Sequence, residues 1–406
     1  TLSEWIIHKI MLGIEYSVIG YPAHRSIFVS LARYGGVYAS IFAVALINIS
    51  IGSLVYYTIN KNSEYRNKNI TYSILVLLIV TSVGYITYTI QTREMNAQKQ
   101  SPIHIATIQY QDKYNQPFGS EKEDTKTKER YFSFPPLEDT VLRIQKEHSN
   151  SSLLIIYPFA PWNGAIGTRA DKSRFDKKVV ATDFDTFGAW TSTYIKKENT
   201  FITWNTTLRG SDFFNEIHAW NDGALTEHAQ KYFLFPFLDY TPSFSQKLGL
   251  FTTPIDSSAG TSTFQNTIYD RKIGALVCSE VTHHIHETQA RGSDIVLAIG
   301  SEALFSSGIA GEFNLANSVY RAVESNTVIV RANRFGPSGV IKNNGDIISE
   351  LGYQADGVLY TEVDVPKKTS PTPFEQNGGT YTLALIFITF LSIGYSQYRL
   401  YRKNQD

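Results

Sequence analysis

The sequence predicts an α/β layered domain attached to membrane-spanning helices. Two observations predict this class. Three long stretches carry no charged side chain, and the chain between the second and third of them alternates short apolar strands with more polar helices. About 20 mostly apolar residues suffice to cross a bilayer as a helix. Alternating strands and helices are typical of a sheet covered by helices.

The three uncharged stretches are Tyr34–Asn60, Asn69–Thr92 and Gln376–Tyr398. Buried core helices of a soluble protein are the alternative interpretation, but three of this length in one soluble chain are not expected. We therefore interpret each stretch as a membrane span. The aromatic content of 13% agrees with this, because Tyr and Trp concentrate at membrane interfaces.

The segment before the first span, Trp5–Leu31, contains Lys, Glu and Arg side chains and is interrupted by Pro22. This composition predicts an interfacial or re-entrant piece, or the end of an earlier span. The chain opens at Thr1 with neither Met nor a charged leader, which predicts no signal peptide and is typical of a fragment whose earlier spans are missing. We expect residues 1–92 to be part of an N-terminal transmembrane domain.

Charge at the ends of the spans predicts the orientation. The loop Lys61–Lys68 has three basic side chains and one acidic side chain, and the tail after the third span has three basic ones. Basic loops stay on the cytoplasmic side, so we expect residues 93–375 to form a domain on the opposite face. Residues 376–406 then form the third span and a cytoplasmic tail. In a bacterium this orientation places the domain on the periplasmic, outer face of the inner membrane.

Strands are predicted in this domain from short apolar runs. Ile103–Gln109 alternates along its length, and Leu153–Pro158 is a continuous apolar run of the kind found in buried strands. The other predicted strands are Lys272–Val277, Asp294–Ile299, Thr327–Ala332, Gly339–Lys342 and Gly357–Val363.

Helices are predicted where apolar residues recur with helical spacing, at Leu137–Glu147, Val281–Arg291 and Gly311–Glu324. The mixed charge run Glu121–Arg130 predicts a solvated loop or a helix end. Pro366–Gly379 is rich in Lys, Thr, Ser and Pro and predicts a linker that leads back to the last span.

Cys278 is the single cysteine of the chain, so it forms no internal disulfide and serves packing or chemistry. It ends the apolar run that starts at Gly274, and Glu280 follows it closely. A thiol at the tip of a buried strand, beside polar groups, has the geometry that a nucleophile needs. A small buried packing residue is the alternative interpretation.

Composition and motifs argue against several functions. The chain has 37 basic and 37 acidic side chains without a basic domain or stripe, so no nucleic-acid partner is expected. No metal is expected, because His283, His284 and His286 do not share one helix face and no paired carboxylates accompany them. No cofactor is expected either, since no Gly-rich phosphate loop is present and Asn344–Gly345 predicts an ordinary hairpin. Ser301–Phe305 is expected to line a site, to form a mobile flap or to be a plain loop.

Several segments together resemble the carbon–nitrogen hydrolase (nitrilase) superfamily and, within it, the membrane-anchored apolipoprotein N-acyltransferases. In Lys231–Pro242 a lysine stands five residues before Pro-Phe, with an acid and a Tyr shortly after, as in the lysine loop of these acyltransferases. The strand ending in Gln109 is similar to the first strand of the family. The other matching segments are Lys272–Glu280, Arg291–Asp294, Arg321–Glu324, Arg331–Ser338 and Asn344–Asp346.

The resemblance implies a four-layer α-β-β-α sandwich and a catalytic set of Glu, Lys and Cys. It implies that Cys278 is the nucleophile and that Lys231 stabilises the oxyanion, with Glu280 and Asp239 matching acids that support the site. The implied reaction moves a fatty acyl group from a phospholipid to the cysteine as a thioester. The acyl group then passes to the N-terminal amine of a diacylglyceryl-cysteine lipoprotein.

Phe159 stands where the family has its general-base glutamate, and a phenyl ring can neither accept nor donate a proton. Three explanations stay open. The chain is a catalytically impaired pseudoenzyme that binds lipid or lipoprotein, or Glu280 or Asp239 takes over the role of the base, or the register of the match differs. A membrane-tethered amidase, in which water replaces the amine, is a further alternative.

Overall fold

The computed structural model describes residues 21–60, 66–97, 102–110, 137–158, 165–168, 180–249, 256–302 and 308–377, together with the single positions 380, 384 and 387. Phe159, the charge run Glu121–Arg130 and most of the predicted span Gln376–Tyr398 therefore lie outside the described residues. The same holds for residues 5–20 of the segment before the first span.

Two long helices, α1 (Ala32–Ile59) and α2 (Arg66–Ala97), cover the first two predicted spans. Both are long and apolar enough to cross a membrane by length and composition. Large apolar side chains such as those of Ile59, Leu78 and Tyr85 are more than half exposed on them. Such surfaces suit a lipid environment, and the two helices are consistent with a membrane protein.

Helix α1 is kinked near its start. Two short 3-10 helices, Tyr21–Arg25 and Ile27–Leu31, lead into it, and the backbone leaves the helical region at Gly35 and Gly36. Gly36 has a φ of 63°, a conformation that glycine adopts without steric penalty. The regular part of α1 therefore begins at Val37.

The domain between the helices and the C-terminal segment contains two β-sheets. The first sheet has eight strands, which are β1 (Ile103–Gln109), β2 (Leu153–Tyr157), β3 (Ala165–Gly167), β4 (Val180–Asp183), β5 (Thr200–Arg209), β6 (Asp212–Asn221), β7 (Ala224–Gln230) and β14 (Gly357–Val363). Their order is β14-β1-β2-β5-β3-β4, with β6 paired to β5 and β7 paired to β6.

The second sheet has six strands, which are β8 (Thr267–Ile268), β9 (Arg271–Val277), β10 (Ile295–Ser301), β11 (Val328–Arg334), β12 (Ser338–Ile341) and β13 (Ile347–Leu351). Their order is β13-β12-β11-β10-β9-β8. Strands β9, β10 and β11 are parallel, and β12 and β13 follow as an antiparallel hairpin.

Among the described residues, five shorter helices belong to the domain, and three of them form the outer layers. The shorter helices are α3 (Leu137–Glu147), α4 (Phe184–Tyr194), α5 (Ser243–Leu248), α6 (Ile309–Ser325) and α7 (Pro373–Asn377). The inner faces of the two sheets share one core of Ile, Val and Leu side chains. Helices α3 and α4 cover the outer face of the first sheet, while α6 and the start of α1 cover the outer face of the second. The order of layers confirms the predicted four-layer α-β-β-α sandwich.

The seven predicted strands are all present, and so are the helices predicted at Leu137–Glu147 and Gly311–Glu324. The helix predicted over Val281–Arg291 is wrong, because this segment contains two short 3-10 helices, Cys278–Thr282 and Ile285–Glu287. Hydroxyl groups there donate to nearby carbonyl oxygens, Thr282 to Ser279 and Thr288 to Ile285, and such bonds compete with a regular helix.

The predicted linker Pro366–Gly379 is packed against the domain over the part that is described. Phe374 of α7 is almost fully buried, and the buried side chains of Lys368 and Glu375 form an ion pair of 2.6 Å. Burial and the short helix α7 together fix this part of the segment. The strands β3 to β8 and β13 and the helices α4, α5 and α7 were not predicted.

Candidate functional site

Cys278 lies at the tip of β9, where the strand turns into the 3-10 helix Cys278–Thr282. Its φ is 56°, a left-handed conformation that is uncommon for a residue with a side chain. The thiol is partly buried. Gly300 of the neighbouring strand β10 lies close by, since a Cβ atom there would be 3.3 Å from the Cα of Cys278. We call residues 277–280 the cysteine elbow.

Lys231 immediately follows β7, and its side chain is only 2% exposed. Its Nζ donates to Oδ2 of Asp239 over 2.6 Å. The same carboxylate accepts from the backbone N–H of Phe235 at 2.6 Å and from Nδ2 of Asn215 at 2.9 Å. The buried ammonium is therefore held by a carboxylate. That carboxylate is itself held by hydrogen bonds from β6 and from the lysine loop, Lys231–Pro242.

Glu280 joins the cysteine elbow to the lysine loop. Its Oε1 accepts from the backbone N–H groups of Tyr232 at 2.8 Å and Phe233 at 3.0 Å, and its Oε2 accepts from that of Val277 at 2.8 Å. The ring of Phe233 also stacks on His283, with centroids 4.0 Å apart. These contacts fix the two segments that carry Cys278 and Lys231 against one another.

The electrostatics of the site couple the thiol to the ammonium. Burial raises the pKa of the Cys278 thiol, and the positive charge of Lys231 acts in the opposite direction. Burial alone would lower the pKa of Lys231, but the negative charges of Cys278 and Asp239 raise it above its ordinary value. Lys231 therefore stays an ammonium, and the thiolate is the species that this ammonium stabilises.

The two candidate acids are already engaged in holding the site. Both oxygen atoms of Glu280 accept backbone N–H groups, and both oxygen atoms of Asp239 accept donors, one of them the ammonium of Lys231. These contacts argue against either carboxylate serving as a general base. Phe159, at the position where the resemblance implies the general-base glutamate of the family, is not among the described residues.

The structure adds Asn215 to the site and places beside it Glu302, which belongs to the predicted segment Ser301–Phe305; residues 303–305 of that segment lie outside the described residues. Asn215 supports Asp239 from β6. Glu302, which directly follows β10, is buried, and its Oε1 accepts from Nη2 of Arg331 at 2.6 Å and Nδ2 of Asn314 at 2.8 Å. Its negative charge contributes to raising the pKa of Cys278. The sequence carried one signal for Glu302. It closely follows a predicted strand, and the carboxyl ends of adjacent parallel strands meet at one edge of a sheet, so Glu302 and Cys278 are expected at the same edge.

The three histidines that follow the elbow have different partners. His283 stacks on Phe233, whereas Nδ1 of His284 lies 3.0 Å from Oε2 of Glu324. His286 stacks on His284 with ring centroids 5.5 Å apart. Among the residues that the structure describes, no group of three or more His, Cys, Asp or Glu side chains could hold a metal ion.

Sequence comparison provides curated relatives across nearly the whole chain. A protein of Wigglesworthia glossinidia brevipalpis is 26% identical over 409 residues, which cover 96% of this chain and 72% of that protein. It is named apolipoprotein N-acyltransferase. The curated homologues of this chain are apolipoprotein N-acyltransferases. A second apolipoprotein N-acyltransferase, from Geobacter metallireducens, is 22% identical and aligns with 87% of this chain and 65% of its own length.

An apolipoprotein N-acyltransferase of Aquifex aeolicus is 28% identical over 151 residues, but this alignment spans only 34% of that protein. No family model matches the chain. Among solved structures, an amidase from Nesterenkonia sp. aligns with a TM-score of 0.44 and 16% identity, over 71% of this chain and 97% of that one. Saccharomyces cerevisiae Nit3, a member of branch 10 of the nitrilase superfamily, aligns with a TM-score of 0.42 and 14% identity, over 66% of this chain and 91% of that one.

Proposed function

We propose that this protein is a membrane acyltransferase that carries its acyl group on Cys278. The observation that carries the proposal is a left-handed cysteine elbow whose thiol is electrostatically coupled to the buried ammonium of Lys231. Glu280 and Asp239 hold the two groups in place. The curated apolipoprotein N-acyltransferases with which the chain aligns support the same chemistry.

In the first step, the thiolate of Cys278 attacks an ester carbonyl of a phospholipid. A sulfur–carbon bond forms, the ester carbon–oxygen bond breaks, and the lysophospholipid leaves with the proton given up by the thiol. The ammonium of Lys231 is the group suited to stabilise the negative oxygen of the tetrahedral intermediate, because it is buried and cannot relax away. A covalent thioester divides one difficult transfer into two easier steps.

In the second step, the N-terminal amine of a diacylglyceryl-cysteine lipoprotein attacks the thioester carbonyl. An amide bond forms, the carbon–sulfur bond breaks, and the departing thiolate takes up the proton that the amine loses. Both substrates have lipid tails, and the exposed apolar faces of α1 and α2 would keep the domain beside a bilayer. We propose the inner membrane as that bilayer, with the domain on its periplasmic face.

Phe159 favours a second candidate, a pseudoenzyme of the same fold that binds lipid or lipoprotein without efficient turnover. Without a carboxylate to take the thiol proton, formation of the thioester would depend on the ammonium of Lys231 alone. An amidase activity is the third candidate, although a soluble substrate gives no reason for membrane helices.

One experiment separates the three candidates. The full chain in proteoliposomes is incubated with phospholipid carrying a labelled acyl chain, and protein-bound label is tested for release by hydroxylamine. Acyltransfer predicts a hydroxylamine-sensitive label that is absent in Cys278→Ala and moves to the amine of a diacylated lipopeptide. Complete absence of label would instead support the pseudoenzyme, and label in Cys278→Ala would overturn the role of the thiol.

Two further readouts refine the result. Release of free fatty acid without transfer to the lipopeptide, or hydrolysis of added amides, supports the amidase. The variant Phe159→Glu restores a carboxylate at the position of the family's base. A gain of labelling in this variant supports the proposed register of the match, and unchanged labelling contradicts it.

A further inference from the structure

A fully buried carboxylate lies where the kink of α1, the last turn of α6 and the segment after the cysteine elbow meet. It belongs to Glu324, whose Oε1 accepts from the backbone N–H of Val37 at 2.9 Å. Its Oε2 lies 3.0 Å from Nδ1 of His284 and 3.2 Å from Nε of Arg321. We call these four residues the Glu324 junction.

The kink of α1 explains why this carboxylate is needed. The backbone is not helical at Gly35 and Gly36, so the N–H of Val37 follows a break in the regular hydrogen-bond pattern. A buried N–H requires an acceptor, and Glu324 supplies it from another element. At Gly36 an added Cβ would be 2.6 Å from Cε2 of Phe374 and 3.2 Å from Oε1 of Glu324. The kink and the carboxylate are therefore closely fitted to one another.

Two adjacent histidines connect the carboxylate of Glu324 to the loops that carry Cys278 and Lys231. His284 contacts Glu324 and packs edge-on against Tyr38 of α1 at 6.4 Å, while His283 stacks on Phe233 of the lysine loop at 4.0 Å. The two rings thus contact the membrane helix on one side and the loop that follows Lys231 on the other. They lie in the segment that leaves the cysteine elbow.

The charges of the junction favour one fixed arrangement. Arg321 is fully buried like Glu324, and separating two buried opposite charges leaves each one without compensation. Burial raises the pKa of the Glu324 carboxyl, and the charge of Arg321 opposes this change. Such a cluster has few alternative geometries, which makes it suitable for fixing one element against another.

We propose that Glu324 and His284 are positioning residues that fix the cysteine elbow to the kink of α1. The membrane helix then sets where the thiol of Cys278 stands relative to the ammonium of Lys231. This inference rests on the proposed role of Cys278 as the nucleophile and adds that the membrane helix controls its geometry. It also assigns a structural role to His283 and His284, which are not part of a metal site among the described residues.

The test measures the geometry of the site separately from acyl transfer. The full chain in lipid nanodiscs is alkylated at Cys278 with iodoacetamide between pH 6 and pH 10, and the midpoint of the rate profile is recorded. The charged groups that act on this thiol are Lys231, Asp239 and Glu302, and Glu280 acts on the ammonium of Lys231. Labelling by phospholipid and thermal unfolding are measured on the same samples.

For Glu324→Ala and His284→Ala, the thiol is expected to lose its alignment with Lys231. The alkylation midpoint then moves to higher pH and the rate at pH 8 falls about tenfold, since one pH unit corresponds to a tenfold change in thiolate. The conservative variants Glu324→Gln and His284→Gln keep a polar group that can hydrogen-bond to Val37 or to Glu324 and Arg321. They are expected to stay within about threefold of the unmodified chain.

Glu227→Gln is the matched control, because this carboxylate is also buried and hydrogen-bonded but accepts from the backbone N–H groups of Gln265 and Asn266, which are not part of the Glu324 junction. It is expected to lower the unfolding temperature and leave the alkylation midpoint unchanged. An unchanged midpoint in folded Glu324→Ala and His284→Ala overturns the inference. If neither variant folds, Glu324→Asp takes their place, because its shorter side chain withdraws the carboxylate from Val37 while keeping the charge; a midpoint at higher pH is then expected, and an unchanged one overturns the inference. A shifted midpoint in a chain that takes no acyl label supports the inference while contradicting the proposed function.

Discussion

At Cys278, burial and a neighbouring charge act on the thiol in opposite directions. Burial raises its pKa, which disfavours the nucleophilic thiolate, and Lys231 partly reverses this effect. Lys231 is itself kept charged by Asp239, which binds its Nζ over 2.6 Å. The reactivity of the sulfur therefore depends on a second residue that never bonds to it in the structure.

Replacing Lys231 with Met is expected to make Cys278 less reactive at neutral pH. Without the ammonium, the pKa of the buried thiol rises further, so the alkylation profile moves to higher pH and the rate at pH 8 falls about tenfold. The measurement is the rate of iodoacetamide labelling across pH.

Lys272→Met is the control for this variant, since Lys272 is an exposed lysine on the same strand as Cys278. Its profile should match that of the unmodified chain. Equal profiles for Lys231→Met and Lys272→Met would show that the ammonium does not act on the thiol.

The residues of the site divide into those that the sequence could reveal and those that it could not. Cys278, Lys231, Asp239 and Glu280 lie in segments with a recognisable order and spacing, and the structure brings all four together. Asn215 could not be identified in this way, because its role depends on the pairing of β6 with neighbouring strands. A single polar residue in a strand gives no signal of such a contact.

At the scale of elements, strands β5, β6 and β7 were missed because buried polar side chains interrupt their apolar pattern. In β5, Thr203, Asn205 and Thr207 are almost completely buried, and in β6 Glu216 and His218 are fully buried. Sequence periodicity assumes that polar residues face water. Here polar groups satisfy one another inside the protein, so the alternation that marks a strand is lost.

The buried carboxylate of Glu216 is the centre of this polar group. Its Oε1 accepts from Nε of Arg209 and from Nε2 of Gln230, each at 2.8 Å, and its Oε2 lies 2.7 Å from Nε2 of His218. Burial alone would raise the pKa of Glu216, but the hydrogen bonds from His218 and Arg209 lower it well below its ordinary value. The three strands are therefore joined by a carboxylate that stays ionised.

Glu216→Gln is expected to lower the free energy of unfolding by about 3 kcal/mol at pH 7, because it leaves the buried partners of the carboxylate without a negative charge. The folded-state pKa is depressed, so this contribution is complete above the ordinary pKa of 4.5 and is lost progressively as the pH falls below that value. The difference between the two chains should therefore shrink between pH 5 and pH 3 in denaturant unfolding.

The exposed acid Glu147 provides the control, and Glu147→Gln should change the free energy of unfolding little at either pH. A difference for Glu216→Gln that is the same at pH 7 and pH 3 would contradict the depressed pKa. The result would then point to lost packing rather than to a lost charge.

For the whole molecule, the four layers were predictable from the resemblance, but the attachment of the domain to the helices was not. Sequence predicted the hairpin at Asn344–Gly345 and the two spans as separate elements. In the structure, the tip of the hairpin between β12 and β13 contacts α2. Tyr88 donates to Oδ1 of Asp346 at 3.1 Å, and Nδ2 of Asn344 donates to Thr92 at 3.2 Å.

These contacts form a second attachment beside that of Glu324 to the kink of α1. Gly345 has a φ of 92°, and a Cβ there would be 3.0 Å from methyl groups of both Val29 and Val323. The hairpin tip is thus fitted between the segment before α1, helix α6 and helix α2. Contacts of this kind link residues more than 250 positions apart and have no counterpart in local sequence patterns.

Asp346→Ala is expected to loosen the domain on α2 without unfolding the sandwich. The variant removes the acceptor of Tyr88 and a partner of Asn344, and one hydrogen bond to a charged group contributes about 1.5 to 3 kcal/mol. Amide exchange should therefore accelerate at least about tenfold in two separate segments, the β12–β13 hairpin and the part of α2 near Tyr88. Mass spectrometry of the full chain in lipid nanodiscs measures this exchange.

Glu362→Gln, an exposed change on β14, should leave both segments unchanged and serves as the control. The decisive comparison is between the two segments of Asp346→Ala. Acceleration in the hairpin alone would mean that α2 is held by other contacts, whereas acceleration in both shows that the hairpin attaches the domain to this helix. Because the attachment of Glu324 to the kink of α1 stays intact in this variant, the cysteine elbow should keep its alkylation profile even when the hairpin is released.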